Sequence, residues 1–277
     1  MPTHAWVGLL IIGTAEGCLA AGNRLVGRWF TPIVWTGYVL FVDGLVRART
    51  GHSYLTTRRR ELVGVIGASI GCWWLFELYN APRFWRGGDD LRGLWWQYHD
   101  LEPDIALRLI GYTWAFATIF PALFLTAEIL KTSLFASLTR RRPLALPPRA
   151  QVASIALGAV AVVLPLVVVS PWLVPLVWVG YVALLEPINA RRGAPSWLPA
   201  VERGDYRTLV ALLGSGLVCG VLWEFWNYWA LARWTYTVPY GGSAKLFEMP
   251  LLGYLGFAPL ALEAFAMYNF LRSILDS

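Results

Sequence analysis

Residues that commonly bind metals are scarce in this chain of 277 residues, which has only three histidines and three cysteines. His4, His52 and His99 are far apart in sequence, so the pattern of a haem, zinc or di-iron site is missing. Three cysteines also provide no disulfide framework. The sequence therefore predicts neither a metal nor another cofactor.

Motifs of several large enzyme classes are missing as well. The chain has no dinucleotide fingerprint, no P-loop and no Gly-x-Ser-x-Gly elbow. Asp89 and Asp90 form the only adjacent aspartate pair, whereas Asp-rich magnesium motifs are expected where an enzyme ionises a diphosphate. This scarcity disfavours a membrane prenyltransferase.

Charge is low too, because only 14% of residues are charged while 57% are apolar and the mean hydropathy is +0.52. Such values are typical of membrane proteins, in which a span needs roughly 20 apolar residues. We therefore predict an all-α, polytopic integral membrane protein of the cell membrane with eight spans. The apolar runs lie at about 5–22, 29–46, 62–80, 105–130, 152–169, 172–190, 206–229 and 250–271.

Positive charges concentrate in three connections between the predicted spans. The positive-inside rule assigns these connections to the cytoplasm, so alternating spans place both termini there. The net charge of +6 then reflects membrane orientation, and we expect membrane lipids but no nucleic acid as partners. Because Glu16 interrupts the first apolar run, we interpret it as a span rather than a removable signal peptide. The charges are Arg47, Arg49, Arg58, Arg59 and Arg60, then Lys131, Arg140, Arg141, Arg142 and Arg149, then Arg191, Arg192, Arg203 and Arg207.

Two sequence patterns occur twice. The first, Trp-x-x-Pro-x-x-Trp-x-Gly-Tyr-Val, begins at Trp29 and at Trp172 and leads to Asp43 and Glu186. The second, Cys-x-x-x-x-Glu-x-x-Asn, begins at Cys72 and at Cys219. The patterns indicate a tandem duplication into two parallel four-helix repeats, residues 1–142 and 150–277, which form one membrane domain. A basic, proline-rich cytoplasmic linker, 143–149, joins them and is not expected to be helical.

The second pattern supplies the candidate catalytic residues. Glu77 and Glu224 lie about 24 Å along their spans from the cytoplasmic side, so both are at the same depth in the outer leaflet. Asn80 and Asn227 follow three residues later and share a helix face with the glutamates. We expect the two carboxylates to face each other across a cleft, one as acid and one as base. A purely structural Glu–Asn network is the alternative.

Aromatic residues surround these acids and are candidates for substrate binding. A further acid, Glu263, lies in the middle of the last span, where a charge is costly, and Glu16 is a second such candidate. The predicted substrate-binding residues are Trp73, Trp74, Tyr79, Trp223, Trp226, Tyr228 and Glu263.

Other acids favour structural roles. Asp43 precedes Arg47 and Glu186 precedes Arg191 by about one helical turn, so an ion pair explains each, near the cytoplasmic side. We interpret the first pattern as a structural hinge between the repeats. By the same argument Glu128 is expected to pair with Lys131.

The two outer connections are rich in tryptophan and tyrosine. Trp96-x-Tyr98 in the first recurs as Trp234-x-Tyr236 in the second. These segments suit either a lid over the cleft or a plain anchor at the membrane interface. The other tryptophan and tyrosine residues of these connections are Trp85, Trp95 and Tyr240.

Buried carboxylates among aromatic rings, without metal or cofactor, favour acid-initiated carbocation chemistry on a lipophilic small molecule. In size, duplication and acid-plus-aromatic character the whole chain resembles the small integral-membrane carotenoid and terpene cyclases. The resemblance implies a cyclase or isomerase acting on an isoprenoid. The Pro-x-Glu-Glu/Asp signature of the lycopene-cyclase-like group is absent, so no catalytic residue is carried over.

Two other functions fit the same pattern. A proton-coupled transporter or lipid-handling protein would use the paired carboxylates as proton or cation sites between two moving halves. A membrane scaffold would use them only to join helices.

Overall fold

The computed structural model describes residues 1–86, 93–139, 141–239, 241 and 244–275. Asp89, Asp90, Arg140 and Tyr240 lie outside the described residues, as does the side chain of Trp85. Eleven α-helices are present in the described part of the chain. They are α1 (Thr3–Ala20), α2 (Arg24–Arg28), α3 (Phe30–Thr50), α4 (Arg59–Asn80), α5 (Pro82–Trp85), α6 (Ile105–Thr132), α7 (Pro148–Val167), α8 (Val174–Arg192), α9 (Leu198–Glu202), α10 (Arg207–Trp229) and α11 (Phe257–Leu275).

Seven helical segments within the described residues are long and apolar enough to cross a membrane. The prediction of an all-α, multi-pass membrane protein is confirmed at this level. The remaining long helix, α3, has 21 residues and falls in the second predicted run. It carries Asp43, Arg47 and Arg49 and is largely covered by other helices, so it needs less apolar surface than a helix facing lipid.

The helices pack in matched pairs. Helix α1 lies against α3, as α7 lies against α8, and the pairs α3–α6 and α4–α6 correspond to α8–α11 and α10–α11. Between these two groups, α10 packs on α6 in the way that α4 packs on α11. The centre of the bundle is therefore built from α4, α6, α10 and α11.

Two glycines allow close contacts within the pairs α1–α3 and α7–α8. A Cβ atom on Gly8 of α1 would collide with the Gly37 carbonyl oxygen of α3, and one on Gly158 of α7 would collide with the Leu184 backbone nitrogen of α8. Small residues that let backbones approach are typical of helix contacts in membranes. Each outer pair is thus locked by the same kind of contact.

Short strands were not predicted but are present. Strands β1 (Trp96–His99) and β2 (Arg233–Tyr236) pair antiparallel across one end of the bundle, and β3 (Lys245–Leu246) pairs with β4 (Met249–Pro250). We call β1 and β2 the ribbon and this end of the bundle the ribbon end. Two 3₁₀ turns, Pro171–Leu173 and Leu251–Gly256, precede α8 and α11.

The linker between the predicted repeats is only partly irregular. Helix α7 already begins at Pro148, so the prediction that 143–149 is not helical is wrong for its last two residues. Proline is favourable at the first position of a helix because the amide hydrogen that it lacks has no partner there. Before α7, Leu144 donates to the Val201 carbonyl oxygen, which ties the linker to α9.

Candidate functional site

A cavity of about 500 Å³ lies beneath the ribbon, between helices that belong to both predicted repeats. Its walls come mainly from α3, α6, α8, α11, the 3₁₀ turn before α11 and the ribbon itself, and α4 and α10 contribute one tryptophan each. The wall is dominated by aromatic rings, so the cavity suits an apolar ligand. The aromatic lining residues are Trp29, Trp35, Trp73, Trp95, Trp96, Tyr98, Tyr112, Phe116, Trp178, Trp223, Trp234, Tyr236 and Phe257.

Many of these lining residues occupy equivalent places in the two sequence patterns. Pro32 corresponds to Pro175 and Trp35 to Trp178, and all four line the cavity. Likewise, both Trp-x-Tyr segments of the ribbon contribute both of their aromatic residues. The cavity therefore draws matched residues from each half of the chain.

A cluster of indole rings forms the inner part of the wall. Trp73 stacks on Trp223 with ring centres 5.1 Å apart and planes inclined by 28°. Trp35 packs against Trp223 at 5.6 Å, and Trp178 packs near Trp73 at 6.5 Å. Indole faces are the best aromatic partners for a positive charge, so this wall could stabilise a cationic intermediate.

The ribbon register is symmetric about its centre. Trp96 pairs with Tyr236 and Tyr98 pairs with Trp234, while Gln97 faces Thr235. Gln97 and Thr235 hold the same place in the two Trp-x-Tyr segments. A local two-fold axis therefore passes between them.

Asn80 and Asn227 hold the ribbon in place. The Asn80 amide oxygen accepts hydrogen bonds from the backbone nitrogens of Trp95 and Trp96 at 3.0 and 3.1 Å, and its nitrogen donates to the Trp96 oxygen at 3.0 Å. Asn227 accepts from the Trp234 nitrogen at 2.9 Å and donates to its oxygen at 2.8 Å. The amide groups of both predicted catalytic asparagines are thus hydrogen-bonded to the backbone of Trp95, Trp96 and Trp234.

Each predicted catalytic glutamate has a tyrosine of the ribbon as its partner. The Tyr98 hydroxyl donates to Glu77 at 2.6 Å, and the Tyr236 hydroxyl donates to Glu224 at the same distance. Burial, with the adjacent carboxylate, raises the pKa of Tyr98 and Tyr236 well above the usual range. Both phenols therefore remain protonated donors.

The carboxyl groups themselves stand behind the cavity wall. Tyr98 and Tyr236 line the cavity, whereas Glu77 and Glu224 are not among the described residues that line it. The expectation that the two glutamates face each other across the cleft is therefore wrong in its geometry. Contact between either acid and the cavity runs through its tyrosine.

Of the predicted substrate-binding residues, Trp73 and Trp223 line the cavity and the other five lie elsewhere. Trp74 packs on Phe116, and Tyr228 is 40% exposed on the outside of the bundle. The Tyr79 hydroxyl donates to the Val162 carbonyl oxygen at 2.7 Å. The indole nitrogen of Trp226 donates to Glu16 at 3.0 Å, which gives that candidate acid a partner. The fifth residue is Glu263.

Glu263 is fully buried, and neither of its carboxyl oxygens has a well-formed hydrogen bond. The groups near enough to interact with it electrostatically include the Tyr181 hydroxyl and the Cys72 thiol. The equivalent place in the other half holds a hydrogen bond of 2.8 Å between Tyr38 and Thr126, with the Cys219 sulfur 3.6 Å from Thr126. One half thus has a carboxyl group where the other has a hydroxyl.

The acids of the first pattern hold the connections that follow their helices. Asp43 accepts from the Ser53 hydroxyl at 2.7 Å, and Glu186 accepts from the Ser196 hydroxyl and the Trp197 nitrogen, each at 2.6 Å. The predicted ion pairs with Arg47 and Arg191 are therefore wrong. These acids fix a turn within their own half, so they do not form a hinge between halves.

Glu128 is paired near the end of the bundle opposite the ribbon, but its partner is Arg58 at 2.6 Å rather than the predicted Lys131. Arg58 comes from the connection before α4 and reaches Glu128 because α4 packs against α6.

Sequence reasoning missed the tyrosine partners of the glutamates and the cavity role of the first pattern. The recurrence of Trp-x-Tyr after each Glu-x-x-Asn was the available signal for Tyr98 and Tyr236. Trp35 lies two helical turns before Asp43, and Trp178 lies two turns before Glu186. The first pattern therefore supplies residues both to the cavity wall and to the part of the bundle farther from the ribbon.

Three charged residues, Arg28, Glu102 and Arg108, line the cavity at its rim. An Arg28 guanidinium nitrogen lies 3.4 Å from a Glu102 carboxylate oxygen. Arg108 donates to the Glu102 backbone oxygen at 2.8 Å. The charged rim and the aromatic interior give the cavity an amphipathic character.

No group of three or more His, Cys, Asp or Glu side chains in the described part of the chain is placed to hold a metal ion. Comparison with known proteins gives no match to a family model, a curated protein or a solved structure. The site is therefore interpreted from its geometry alone.

Proposed function

We propose that this protein is a membrane enzyme that binds an isoprenoid-type lipid in the cavity beneath the ribbon and rearranges it without a cofactor. The observation that supports this proposal most directly is an aromatic cavity whose wall includes two tyrosines, each hydrogen-bonded to a buried glutamate. A volume of about 500 Å³ lies within the range of roughly 300–1,000 Å³ typical of small-molecule sites.

The proposed chemistry begins with proton transfer through one Tyr–Glu pair. When Glu77 carries a proton it can donate to the Tyr98 oxygen, which frees the Tyr98 proton for an alkene carbon of the substrate. The new carbon–hydrogen bond leaves a carbocation, and the facing indoles stabilise it. Loss of a proton from the carbocation to the Tyr236 oxygen restores a double bond, while Tyr236 passes its own proton to an ionised Glu224. Substrate and product therefore have the same mass, as in a cyclisation or isomerisation.

The proposed architecture consists of eight spans in two parallel repeats of four, with α3 as the eighth span and both termini in the cytoplasm. The matched helix contacts, the symmetric ribbon register and the equivalent Asn–backbone and Tyr–Glu hydrogen bonds support it. A site between two such halves would explain why each contributes one carboxyl group.

The enzyme proposal is tested by producing the full chain in a host supplied with carotenoid, squalene or quinone precursors. The expected product has unchanged mass and shifted chromatographic retention. We expect Tyr98→Phe and Tyr236→Phe each to lower product formation by roughly 10²–10⁴-fold, the usual contribution of a positioned proton donor or acceptor.

Tyr206→Phe is the matched control, because the Tyr206 hydroxyl donates to the Arg142 carbonyl oxygen in the connection before α7, at the end away from the cavity. It should leave product formation unchanged. Lipid extracts that are identical with and without the protein across the whole precursor panel would contradict an enzyme of this class.

A second candidate is a lipid-handling protein or proton-coupled transporter. It is favoured by one observation, that Glu77 and Glu224 lie behind the cavity wall. In this case the cavity would hold the lipid while the acids take up and release protons. Proton-dependent lipid uptake by proteoliposomes, with no new product, would select this function over the enzyme.

A further inference from the structure

We infer that the ligand of this cavity carries an anionic head group, phosphate or carboxylate, which binds at the rim beside Arg28 and Arg108. This inference rests on the proposed function, since it takes the cavity as the site of a lipophilic ligand. It specifies, in addition, the chemistry of the polar end of that ligand.

The distribution of charge in the wall is the first observation. Among the described lining residues only Arg28, Glu102 and Arg108 are charged, and they sit together on α2, on the connection before α6 and on its first turn. Two guanidinium groups face one carboxylate, so the rim has an excess of one positive charge. The rest of the described wall is uncharged and mostly aromatic or aliphatic.

The hydrogen bonds at the rim leave donors free. Arg28 reaches Glu102 with one terminal nitrogen at 3.4 Å, and its buried Nε has no hydrogen-bond partner. Arg108 donates to the backbone oxygens of Glu102 and Pro103, which carry no full charge. The other terminal nitrogen of Arg28 has no hydrogen bond to the described residues, which leaves a guanidinium donor for an acceptor at the rim.

The position of these arginines in the fold is the second observation. The arginine-rich connections that the positive-inside rule explains lie at the opposite end of the bundle. Arg28 and Arg108 lie at the ribbon end, where α2 is tied to the segment before β2 by a hydrogen bond from Leu231 to Gly27. Membrane orientation therefore gives no reason for these two charges at the mouth of an apolar cavity.

Guanidinium groups suit such a ligand because their planar donors match the oxygens of a phosphate or carboxylate. An amphipathic lipid would then place its head at the rim and its chain among the indoles. This orientation would also fix which double bond meets Tyr98 and Tyr236. Proton-initiated chemistry on the chain leaves the head group intact.

A matched series of three ligands tests the inference with the purified full chain in detergent. Geranylgeraniol, geranylgeranyl phosphate and geranylgeranoic acid share one chain and differ in head-group charge. Binding is measured by quenching of tryptophan fluorescence, because indoles form much of the cavity wall. We expect the two anions to bind at least roughly tenfold more tightly than the alcohol, the effect of one good charge-assisted contact.

The rim variants should act in opposite directions. Arg28→Gln and Arg108→Gln should each weaken anion binding far more than alcohol binding, and the alcohol binding that remains shows that the variants fold. Glu102→Gln should strengthen anion binding, because it removes the competing carboxylate. Arg24→Gln, on the exposed face of α2, is the matched control and should change nothing.

Equal affinity for all three ligands, or equal loss of anion preference in Arg24→Gln, would overturn the head-group inference while leaving the cavity as a lipid site. Absence of quenching by every member of the series would instead overturn the proposed function. If only one of the two anions is preferred, it identifies the head group as phosphate or carboxylate. Quenching by the anions that free inorganic phosphate reverses would place the phosphate group itself at the rim.

Discussion

At the scale of single residues, hydrogen-bond partners separate the buried acids of this protein by role. Asp43 and Glu186 accept from the turn that follows their own helix, which is a structural task. Glu77 and Glu224 accept from tyrosines that line a cavity, which places them one hydrogen bond away from a ligand. Carboxylates in apolar helices thus differ in role according to the groups that they contact.

The sequence predicted the equivalence of Glu77 and Glu224 but not the tyrosines that join them to the cavity. Each tyrosine is separated from its glutamate by a connection, over 21 residues in one half and 12 in the other. The course of such a connection depends on strand pairing with the other half. Local pattern carries no information about that pairing.

Glu263 provides a prediction about stability. Neither of its oxygens has a well-formed hydrogen bond, and an amide of the same shape keeps an oxygen beside the Tyr181 backbone. We expect Glu263→Gln to change the free energy of unfolding by less than about 1 kcal/mol. Thermal unfolding of the purified protein in detergent measures this change.

Thr126→Val is the matched comparison, since Thr126 occupies the equivalent place and hydrogen-bonds Tyr38 at 2.8 Å. It should destabilise by about 0.5–1.5 kcal/mol, the usual contribution of one such bond. A loss of several kcal/mol in Glu263→Gln would contradict the account, because it would show that the carboxyl is ionised and paired.

At the scale of elements, the helices were predictable and the ribbon was not. Long apolar runs predicted the eight long helices to within a few residues at most ends, because length and hydropathy are local properties. The ribbon joins segments 138 positions apart in the two halves, and four-residue strands show no clear alternation. Its existence depends on the fold that brings α4 and α10 together.

The asparagines that hold the ribbon allow a test of its role. Asn80→Ala removes three hydrogen bonds to the backbone of Trp95 and Trp96 and should destabilise the protein by about 1–3 kcal/mol. It should also weaken ligand quenching of tryptophan fluorescence, because Trp95 and Trp96 line the cavity. Asn227→Ala should have the same two effects, with two hydrogen bonds lost.

Asn189→Ala serves as the control, since Asn189 binds the Ala266 carbonyl oxygen within the bundle at 2.9 Å. It should lower stability and leave ligand binding unchanged. Equal binding in wild type, Asn80→Ala and Asn227→Ala would show that the ribbon does not shape the site.

At the scale of the whole molecule, residues of the matched patterns from both parts of the chain surround one cavity. The two predicted repeats have matched helix contacts, ribbon register and Tyr–Glu pairs, yet they differ at Glu263 and at the charged rim. Matched residues form much of the cavity wall, and the charged rim makes its two ends different. Such a site would bind an asymmetric molecule in one orientation.

We propose that the cavity beneath the ribbon holds a lipophilic molecule. The most direct measurement is mass spectrometry of the lipids extracted from purified wild type, Ala115→Trp and Ala106→Trp. Ala115 lines the cavity on α6, whereas Ala106 is exposed on the same helix, so only the first indole fills the site. We predict a lipophilic molecule that co-purifies with wild type and Ala106→Trp and is absent from Ala115→Trp; identical extracts from all three proteins would contradict the account.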